Sequence, residues 1–326
     1  MTRHIFTLLA MAMVLLLTHV AARAEATSFV VMADINGRYG SIGYHPRVSL
    51  AVQRIIELNP DFVILAGDMV AGQQNPPLKP ERLHAMWQAF EVTVAAPLRG
   101  AGIDLIPTAG NHDASAYPEF TTDREAYASY WSALKPPGRV LPGSDYPWHF
   151  ATAQGETLIV SLYASVPERL PVEQEAFLRK ILTEHAEQYK SVLIVSHLPV
   201  FPISQGRERD VLDADSLEPL LASFGVDWFI SGHHHAFYAG QAQTGPIHLA
   251  SAALGGNRRK WVGSESLSAF GFARVDDHGM ISFYTAPEFE PGAPSGIPEK
   301  IGVLRLRTDK LSERRNFPTG QLLPGR

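Results

Sequence analysis

The chain of 326 residues contains no cysteine. This absence excludes disulfide bonds, thiolate metal sites and cysteine nucleophiles together. Any metal ion that the protein binds must therefore have its ligands from His, Asp, Glu, Asn or water.

An excess of positive charge is also missing. The chain has 28 Lys and Arg residues against 33 Asp and Glu residues, which gives a formal net charge of −5. Proteins that bind nucleic acids generally carry a basic surface, so no nucleic-acid partner is expected. A small phosphate compound is not excluded, because bound metal ions can reverse the local field.

Long apolar segments are lacking after residue 24. Residues 1–24 contain Arg3, then a nearly continuous apolar run, and end in Ala22-Arg23-Ala24, the small-x-small pattern of a signal-peptidase site. An uncleaved membrane anchor is the alternative, but the run Ile5–Leu17 is short for a span of about 20 residues. We expect cleavage after residue 24, export to the periplasm or the medium, and no stable membrane insertion afterwards.

Strand and helix patterns alternate through the first two-thirds of the remaining chain. "SFVVMA" (28–33) predicts a buried strand, "VSLAVQRIIEL" (48–58) a helix and "DFVILA" (61–66) the next strand. Such alternation predicts an α/β fold with a mostly parallel sheet, and the later strands separated by Gly and Asn predict a second group. We expect one domain over 25–290 and a loosely packed C-terminal tail over 291–326, which is rich in Pro, Gly and charge.

Polar residues directly follow five of the predicted strands. Ligands of α/β sheets bind beyond the carboxyl ends of the strands, so these side chains are expected to face one site. Each segment alone also fits an ordinary turn or helix cap, but together the five predict a metal site. The segments are Asp34-Ile35-Asn36-Gly37, Gly67-Asp68, Gly110-Asn111-His112-Asp113, His197-Leu198-Pro199 and Gly232-His233-His234-His235.

The run of three histidines needs a closer look. Side chains two apart in an extended backbone point the same way, so His233 and His235 are expected to converge while His234 points elsewhere. Solvated loop histidines are the alternative for an isolated H-x-H pair. The metal-binding interpretation therefore depends on the carboxylates elsewhere in the series.

The whole series resembles the calcineurin-like metallophosphoesterase superfamily, whose signature is D-x-H, G-D, G-N-H-[DE], a lone His and G-H-x-H. The motifs cover residues 34–235, and the strand-rich segment to about residue 285 fits the second sheet of that family. The resemblance implies a four-layer α/β/β/α sandwich with two divalent or trivalent transition metal ions, Mn, Fe or Zn, at the C-terminal ends of the strands. It also implies hydrolysis of a small-molecule phosphate mono- or diester by a metal-bridging hydroxide.

The resemblance also implies a role for each matching residue. Asp68 corresponds to the carboxylate that bridges the two ions. The ligands of one ion would be Asn111, His197 and His233, and those of the other Asp34, Asn36 and His235. The catalytic pair would be His112, as the general acid, and Asp113, which would orient its imidazole. His234 would take no part.

Asn36 departs from the family pattern, which usually has histidine at this position. An amide oxygen is a weaker and neutral ligand, so the ion shared with Asp34 and His235 is expected to bind more loosely. The alternative is that Asn36 only positions the turn at Gly37 and that His45 completes the ligand shell.

Two further questions stay open in the sequence. In the basic segment "GGNRRKW" (255–261), Arg258 or Arg259 could meet a substrate phosphate, or the segment could be a solvated turn. The functional alternative is a single-metal, catalytically weak protein that binds phosphate or a nucleotide. His112 and Asp113 favour the enzyme, because a binding protein would not need this pair.

Overall fold

The computed structural model describes residues 27–312. The predicted signal peptide, residues 1–24, and the end of the predicted tail, residues 313–326, lie outside the described residues. None of the helices between residues 27 and 312 is both long and apolar enough to cross a membrane.

The described chain alternates strands and helices before it ends in strands. The helices are α1 (Pro46–Leu58), α2 (Pro80–Phe90), α3 (Ala96–Gly100), α4 (Asn111–Ala114), α5 (Thr121–Ser132), α6 (Val172–His185) and α7 (Ala214–Ser223). The strands are β1 (Phe29–Met32), β2 (Phe62–Ala66), β3 (Asp104–Thr108), β4 (Arg139–Val140), β5 (Phe150–Gln154), β6 (Thr157–Ser161), β7 (Ser191–Val195), β8 (Trp228–Ser231), β9 (Tyr238–Gln241), β10 (Ile247–Ala250), β11 (Gly271–Val275), β12 (Ile281–Thr285), β13 (Glu290–Pro291), β14 (Lys300–Ile301) and β15 (Leu304–Leu306).

These strands form two sheets. The first has the order β13-β12-β11-β1-β2-β3, and β1, β2 and β3 run parallel. The second has the order β14-β15-β9-β10-β8-β7-β6-β5-β4, with β6, β7, β8 and β10 parallel. The parallel strands of each sheet therefore place their carboxyl ends at one edge.

The two sheets pack against each other and helices cover their outer faces. Along β1, Phe29 and Val31 point into the core between the sheets, whereas Val30 and Met32 point toward the core under α1, α2 and α5. Side chains of a strand alternate between faces, so a continuous apolar run is buried on both sides. The second sheet packs in the same way under α6 and α7. This arrangement confirms the predicted four-layer α/β/β/α sandwich.

The C-terminal segment differs from the expectation of a loosely packed tail. Residues 290–291 form β13 on the first sheet, and the β14-β15 hairpin extends the second sheet beside β9. Ile301 and Leu304 are buried with Trp261 in a small apolar cluster. These strands have two or three residues each, which is too short for a hydrophobic period to stand out among Pro, Gly and charged residues.

Candidate metal centre

Two carboxylates and one imidazole converge at the shared edge of the sheets. Asp34 follows β1, Asp68 follows β2 and His235 follows β8. Potential ligand atoms of the three residues lie within 4.8 Å of one another. Both carboxylates are buried, and Nε2 of His235 is 3.3 Å from Oδ1 of Asp34. The spacing and the donor types suit a cation.

A second group of donors adjoins Asp68. Nε2 of His197 lies 3.0 Å from Oδ1 of Asn111 and 3.3 Å from Oδ1 of Asp68. Nδ1 of His233 is 3.2 Å from the same His197 nitrogen. The structure thus brings these predicted ligands together in two groups, with the Asp68 carboxylate in contact with one and close to the other.

Main-chain carbonyls orient two of the histidines. Nδ1 of His197 lies 2.9 Å from the oxygen of Ala66, and Nδ1 of His235 lies 2.7 Å from the oxygen of Asn257. A carbonyl can only accept, so both rings donate from Nδ1, which leaves Nε2 as the nitrogen that can bind a metal ion. His233 is turned the other way, with Nδ1 toward His197.

The backbone of the centre is unusual. Asp34, Asp68, His233 and His235 all have positive φ angles, between 51° and 62°. Residues other than glycine rarely adopt this left-handed conformation, and it costs of order 1 kcal/mol or more at each position. Four such residues at one place indicate that packing around them enforces a geometry that serves a site rather than local stability.

Glycines in the G-D and G-N-H motifs permit the close approach of these side chains. A Cβ atom on Gly67 would lie 2.2 Å from Nδ1 of His197, and a Cβ atom on Gly110 would lie 2.2 Å from Oδ1 of Asp68. No side chain fits at either position without displacing a potential ligand.

His112 and Asp113 do not form the predicted pair. Nδ1 of His112 lies 3.1 Å from the main-chain oxygen of Gly72, which therefore orients the ring. The Asp113 carboxylate instead accepts the backbone N–H groups of Met69, Val70 and Gly110 at 2.7 to 2.9 Å. Asp113 is fully buried. Through these hydrogen bonds it holds the loops after β2 and β3 together, and it does not contact the imidazole.

His234 has surroundings of its own. The ring does point away from the other two histidines' ligand atoms, but it is fully buried. Nδ1 accepts from the backbone N–H groups of Ile203 and Ser204 at 3.0 and 3.3 Å, and Nε2 donates to the oxygen of Asp210 at 3.0 Å. His234 therefore has a structural role, since it fixes the loop between β7 and α7.

Asn36 and His45 occupy different surroundings. Asn36 is buried, its backbone N–H donates to the oxygen of Asp68 at 3.2 Å, and its side chain makes no hydrogen bond within residues 27–312. His45 is the N-cap of α1, where Nδ1 accepts from the backbone N–H of Arg47 at 3.2 Å. The free amide of Asn36 is thus available as a ligand, while His45 has a local role.

The charges within the centre depend on one another. Burial acts to raise the pKa of Asp68, but His197 and His112 lower it well below its usual range. Burial acts to lower the pKa of His197, but Asp68 raises it to about 9. Each group thus favours the charged form of the other, and a metal ion bound here would take the place of a proton on His197.

This donor set fits transition metal ions. It combines buried carboxylates with imidazoles whose tautomers are fixed, and it offers only oxygen and nitrogen, as manganese, iron and zinc accept. Two neighbouring buried carboxylates also require positive charge to offset their desolvation and mutual repulsion.

Three residues that border the centre were not predicted from the sequence: Gln73, Arg207 and Asp210. Nη1 of Arg207 lies 3.4 Å from Nε2 of His233 and 2.6 Å from Oδ2 of Asp210. Oε1 of Gln73 accepts from Nδ2 of Asn111 at 2.6 Å, which turns the amide oxygen toward His197. All three lie in irregular loops away from the strand ends, where neither a motif nor a period marks them.

Comparisons with known proteins agree with this architecture. The family model for calcineurin-like phosphoesterases matches residues 27–237. A search of curated proteins gives no match. Solved structures with the same fold include purple acid phosphatase PPD1 from yellow lupin (Lupinus luteus) seeds, at 14% identity and a TM-score of 0.60. The match covers 91% of this chain and 57% of the lupin chain, so this chain spans just over half the length of that protein.

Two further structures match over most of their length. One is a dimetal phosphatase from Danio rerio, at 17% identity, with 84% of this chain and 100% of that chain covered and a TM-score of 0.53. The other is GAP50, described as the anchor in the inner membrane complex of Plasmodium, at 14% identity, with 88% and 91% covered and a TM-score of 0.53. At these identities the likeness establishes the fold.

Proposed function

The chain belongs to the calcineurin-like phosphoesterase family, a family of metal-dependent phosphoric ester hydrolases, and we propose that it hydrolyses a small-molecule phosphate ester with two bound metal ions. The observation that carries the proposal is the position of Asp68. Oδ1 of Asp68 lies 3.3 Å from Nε2 of His197. A carboxylate oxygen of Asp68 also lies within 4.8 Å of ligand atoms of Asp34 and His235. A single carboxylate between two donor groups is suited to join two cations.

The residues divide into two ligand groups in this proposal. Asn111, His197 and His233 hold one ion, and Asp34, Asn36 and His235 hold the other. When bound, the ions supply a strongly acidified water at neutral pH and positive charge for the phosphoryl oxygens. The left-handed backbone and the carbonyls behind His197 and His235 keep the ligands in place before substrate arrives.

His112 is the residue proposed to donate a proton to the leaving oxygen. Its Nδ1–H bonds to Gly72, so Nε2 is the nitrogen that faces the centre, 3.8 Å from Oδ2 of Asp68. The side chain is 17% exposed, whereas those of His197 and His233 are more deeply buried, so His112 can reach a substrate. Proton transfer by such a positioned imidazole commonly contributes about 10²- to 10⁴-fold to the rate.

A screen of the mature chain tests this function. Protein loaded with Mn²⁺, Fe²⁺ or Zn²⁺ is assayed against p-nitrophenyl phosphate, bis-p-nitrophenyl phosphate and nucleotides, with an EDTA-treated sample as control. The expected result is turnover that chelation abolishes and added metal restores. Bound metal with no turnover of any ester would support the second candidate, a weakly active phosphate- or nucleotide-binding protein, which the amide at Asn36 favours.

We propose that the protein acts outside the cytoplasm. The support is the sequence of residues 1–24, with Arg3, an apolar run and the Ala22-Arg23-Ala24 site. N-terminal sequencing of the expressed protein is expected to begin at Glu25, in a periplasmic or secreted fraction. Recovery of the uncleaved chain from membranes would contradict this proposal.

A further inference from the structure

Two loops that border the centre are joined by backbone hydrogen bonds. The N–H of Gln205 donates to the oxygen of Lys260 at 2.9 Å, and the N–H of Val262 donates to the oxygen of Ile203 at 3.0 Å. This pairing fixes the loop between β7 and α7 against the loop after β10. It thereby brings together the loops that carry Arg207 and Arg259.

Both loops also contact the metal ligands. Arg207 lies 3.4 Å from Nε2 of His233. On the other side, the oxygen of Asn257, two residues before Arg259, accepts from His235 at 2.7 Å. Arg207 therefore lies beside His233, and the loop that carries Arg259 is hydrogen-bonded to His235.

The two arginines differ in their partners. Arg207 pairs with Asp210 at 2.6 Å. The Arg259 guanidinium makes no hydrogen bond within residues 27–312, although its Nε–H is buried. Burial and the charge of Arg207 lower the pKa of Arg259, with Asp34 and Asp210 acting in the opposite direction. A buried donor without an acceptor is destabilising, and Asp34 of the centre acts on this guanidinium, so Arg259 is placed to meet an anionic ligand there.

The number of terminal oxygens separates the two classes of ester. A phosphate monoester has three terminal oxygens and up to two negative charges, whereas a diester has two oxygens and one charge. Two metal ions can engage two terminal oxygens of either class. Only a monoester leaves a third charged oxygen, and a guanidinium is the side chain best suited to bind it.

We propose that Arg259, supported by Arg207, binds a terminal phosphoryl oxygen of the substrate and makes the enzyme selective for phosphate monoesters over diesters. This inference rests on the proposed function, because it assigns the substrate class of the same centre. Arg258 does not share the role, since it is exposed and lies 5.4 Å over the ring of Phe270.

The test compares two neighbouring arginines on two substrates with the same leaving group. Arg259→Met and the matched control Arg258→Met are assayed with p-nitrophenyl phosphate and bis-p-nitrophenyl phosphate. Loss of a charged hydrogen bond should lower kcat/KM of Arg259→Met for the monoester by about 10- to 100-fold. Its diester activity should change little, and Arg258→Met should change neither activity. Metal content and Tm are measured for each variant.

Several outcomes would overturn the inference. They are equal losses on both esters, equal effects of the two variants, or a wild type that prefers the diester. If Arg259→Met does not fold, Arg259→Lys replaces it. Lysine keeps the charge but not the forked donors of the guanidinium, so the KM for the monoester should rise while the KM for the diester stays the same. An unchanged KM would contradict the role.

A binding measurement separates this inference from the proposed function. If the wild type hydrolyses none of the esters in the screen, the proposed function fails, and calorimetric titration of the metal-loaded protein with inorganic phosphate still tests Arg259. Phosphate affinity is expected to fall at least about 10-fold in Arg259→Met and to persist in Arg258→Met. Equal affinity in the two variants would defeat the inference even if the enzyme is active.

Discussion

His234 donates a 3.0 Å hydrogen bond from Nε2 to the main-chain oxygen of Asp210. Its other nitrogen accepts the N–H groups of Ile203 and Ser204, so one imidazole fixes a loop at three points. We expect His234→Ala to leave these buried groups unsatisfied and to lower Tm by about 5 °C, with reduced activity because the loop carries Arg207. Thermal unfolding and ester assays of the purified variant measure both effects.

His234→Asn is the matched control for this prediction. Asparagine can place an acceptor near the position of Nδ1, so we expect it to recover part of the lost stability. Metal content should stay at the wild-type level in both variants. Loss of metal with an unchanged Tm would show that His234 is a ligand after all.

Acid should destabilise the protein partly through the same ring. Burial lowers the pKa of His234 to about 3, below the ordinary value of about 6.5. Between these values the unfolded chain binds a proton that the folded chain does not, so stability falls as the pH decreases through this window. The contribution is at most about 1.4 kcal/mol per pH unit.

Urea unfolding of EDTA-treated protein at pH 7, 6, 5 and 4 measures this dependence. Burial also lowers the pKa of His233, to about 4, so the wild type contains both contributions. His234→Asn removes one of them and should show a shallower loss of stability on acidification. Parallel curves for the two proteins would show that His234 does not titrate in this way.

Asp68→Asn should have the largest effect of any single ligand substitution. The change removes negative charge from between two proposed cation sites and also weakens the partner of the His197 imidazole. We expect metal content below one ion per chain and no measurable turnover. Asn111→Ala and His235→Ala serve as comparisons, and a variant of Asp68 that keeps two ions would contradict its bridging role.

Asn36→His should tighten the more weakly bound ion. The amide is buried and makes no hydrogen bond between residues 27 and 312, so it is free to be exchanged for a stronger donor. We expect the isolated wild type to contain fewer than two ions per chain and to be activated by added metal. The variant should need less added metal for full activity. His45→Ala should not change metal content, because His45 caps α1. Tight binding of two ions by the wild type would refute the prediction.

Substitutions of His112 and Asp113 should have different effects, one on kcat and the other on stability. Asp113→Asn disturbs a carboxylate that accepts three backbone N–H groups and should lower stability by about 1–3 kcal/mol. His112→Asn should leave stability nearly unchanged and lower kcat by about 100-fold or more. Chemical unfolding together with steady-state kinetics distinguishes the two, and identical profiles would restore the view that they act as one pair.

The strand ends were predictable because their signal is local. Each of Asp34, Asp68, Asn111 and His197 directly follows a run of apolar residues, and parallel strands place such positions at one edge whatever the loops do. The left-handed backbone at Asp34 and Asp68 could not be predicted, because residues other than glycine rarely adopt it and only the surrounding packing enforces it.

Long-range contacts explain the remaining differences. The ring of His234 bonds to residues 24 to 31 positions away, and Arg207 is 26 residues from His233. Nothing in a loop sequence specifies which carbonyl or imidazole it will meet after folding. Asp113 shows the converse error, because the family resemblance implied a contact with His112, whereas the carboxylate bonds to backbone N–H groups instead.

The β14-β15 hairpin has a consequence for self-association. Its strand β15 occupies the side of β9 that faces away from β10, through the pairs Arg305↔Gln241 and Leu306↔Gly240. A strand left open at that border presents free N–H and C=O groups that another copy can extend into a continuous intermolecular ladder. A chain that stopped before Leu304 would expose Tyr238–Gln241 in this way, so the hairpin covers a strand edge that is prone to aggregation and also adds to the core.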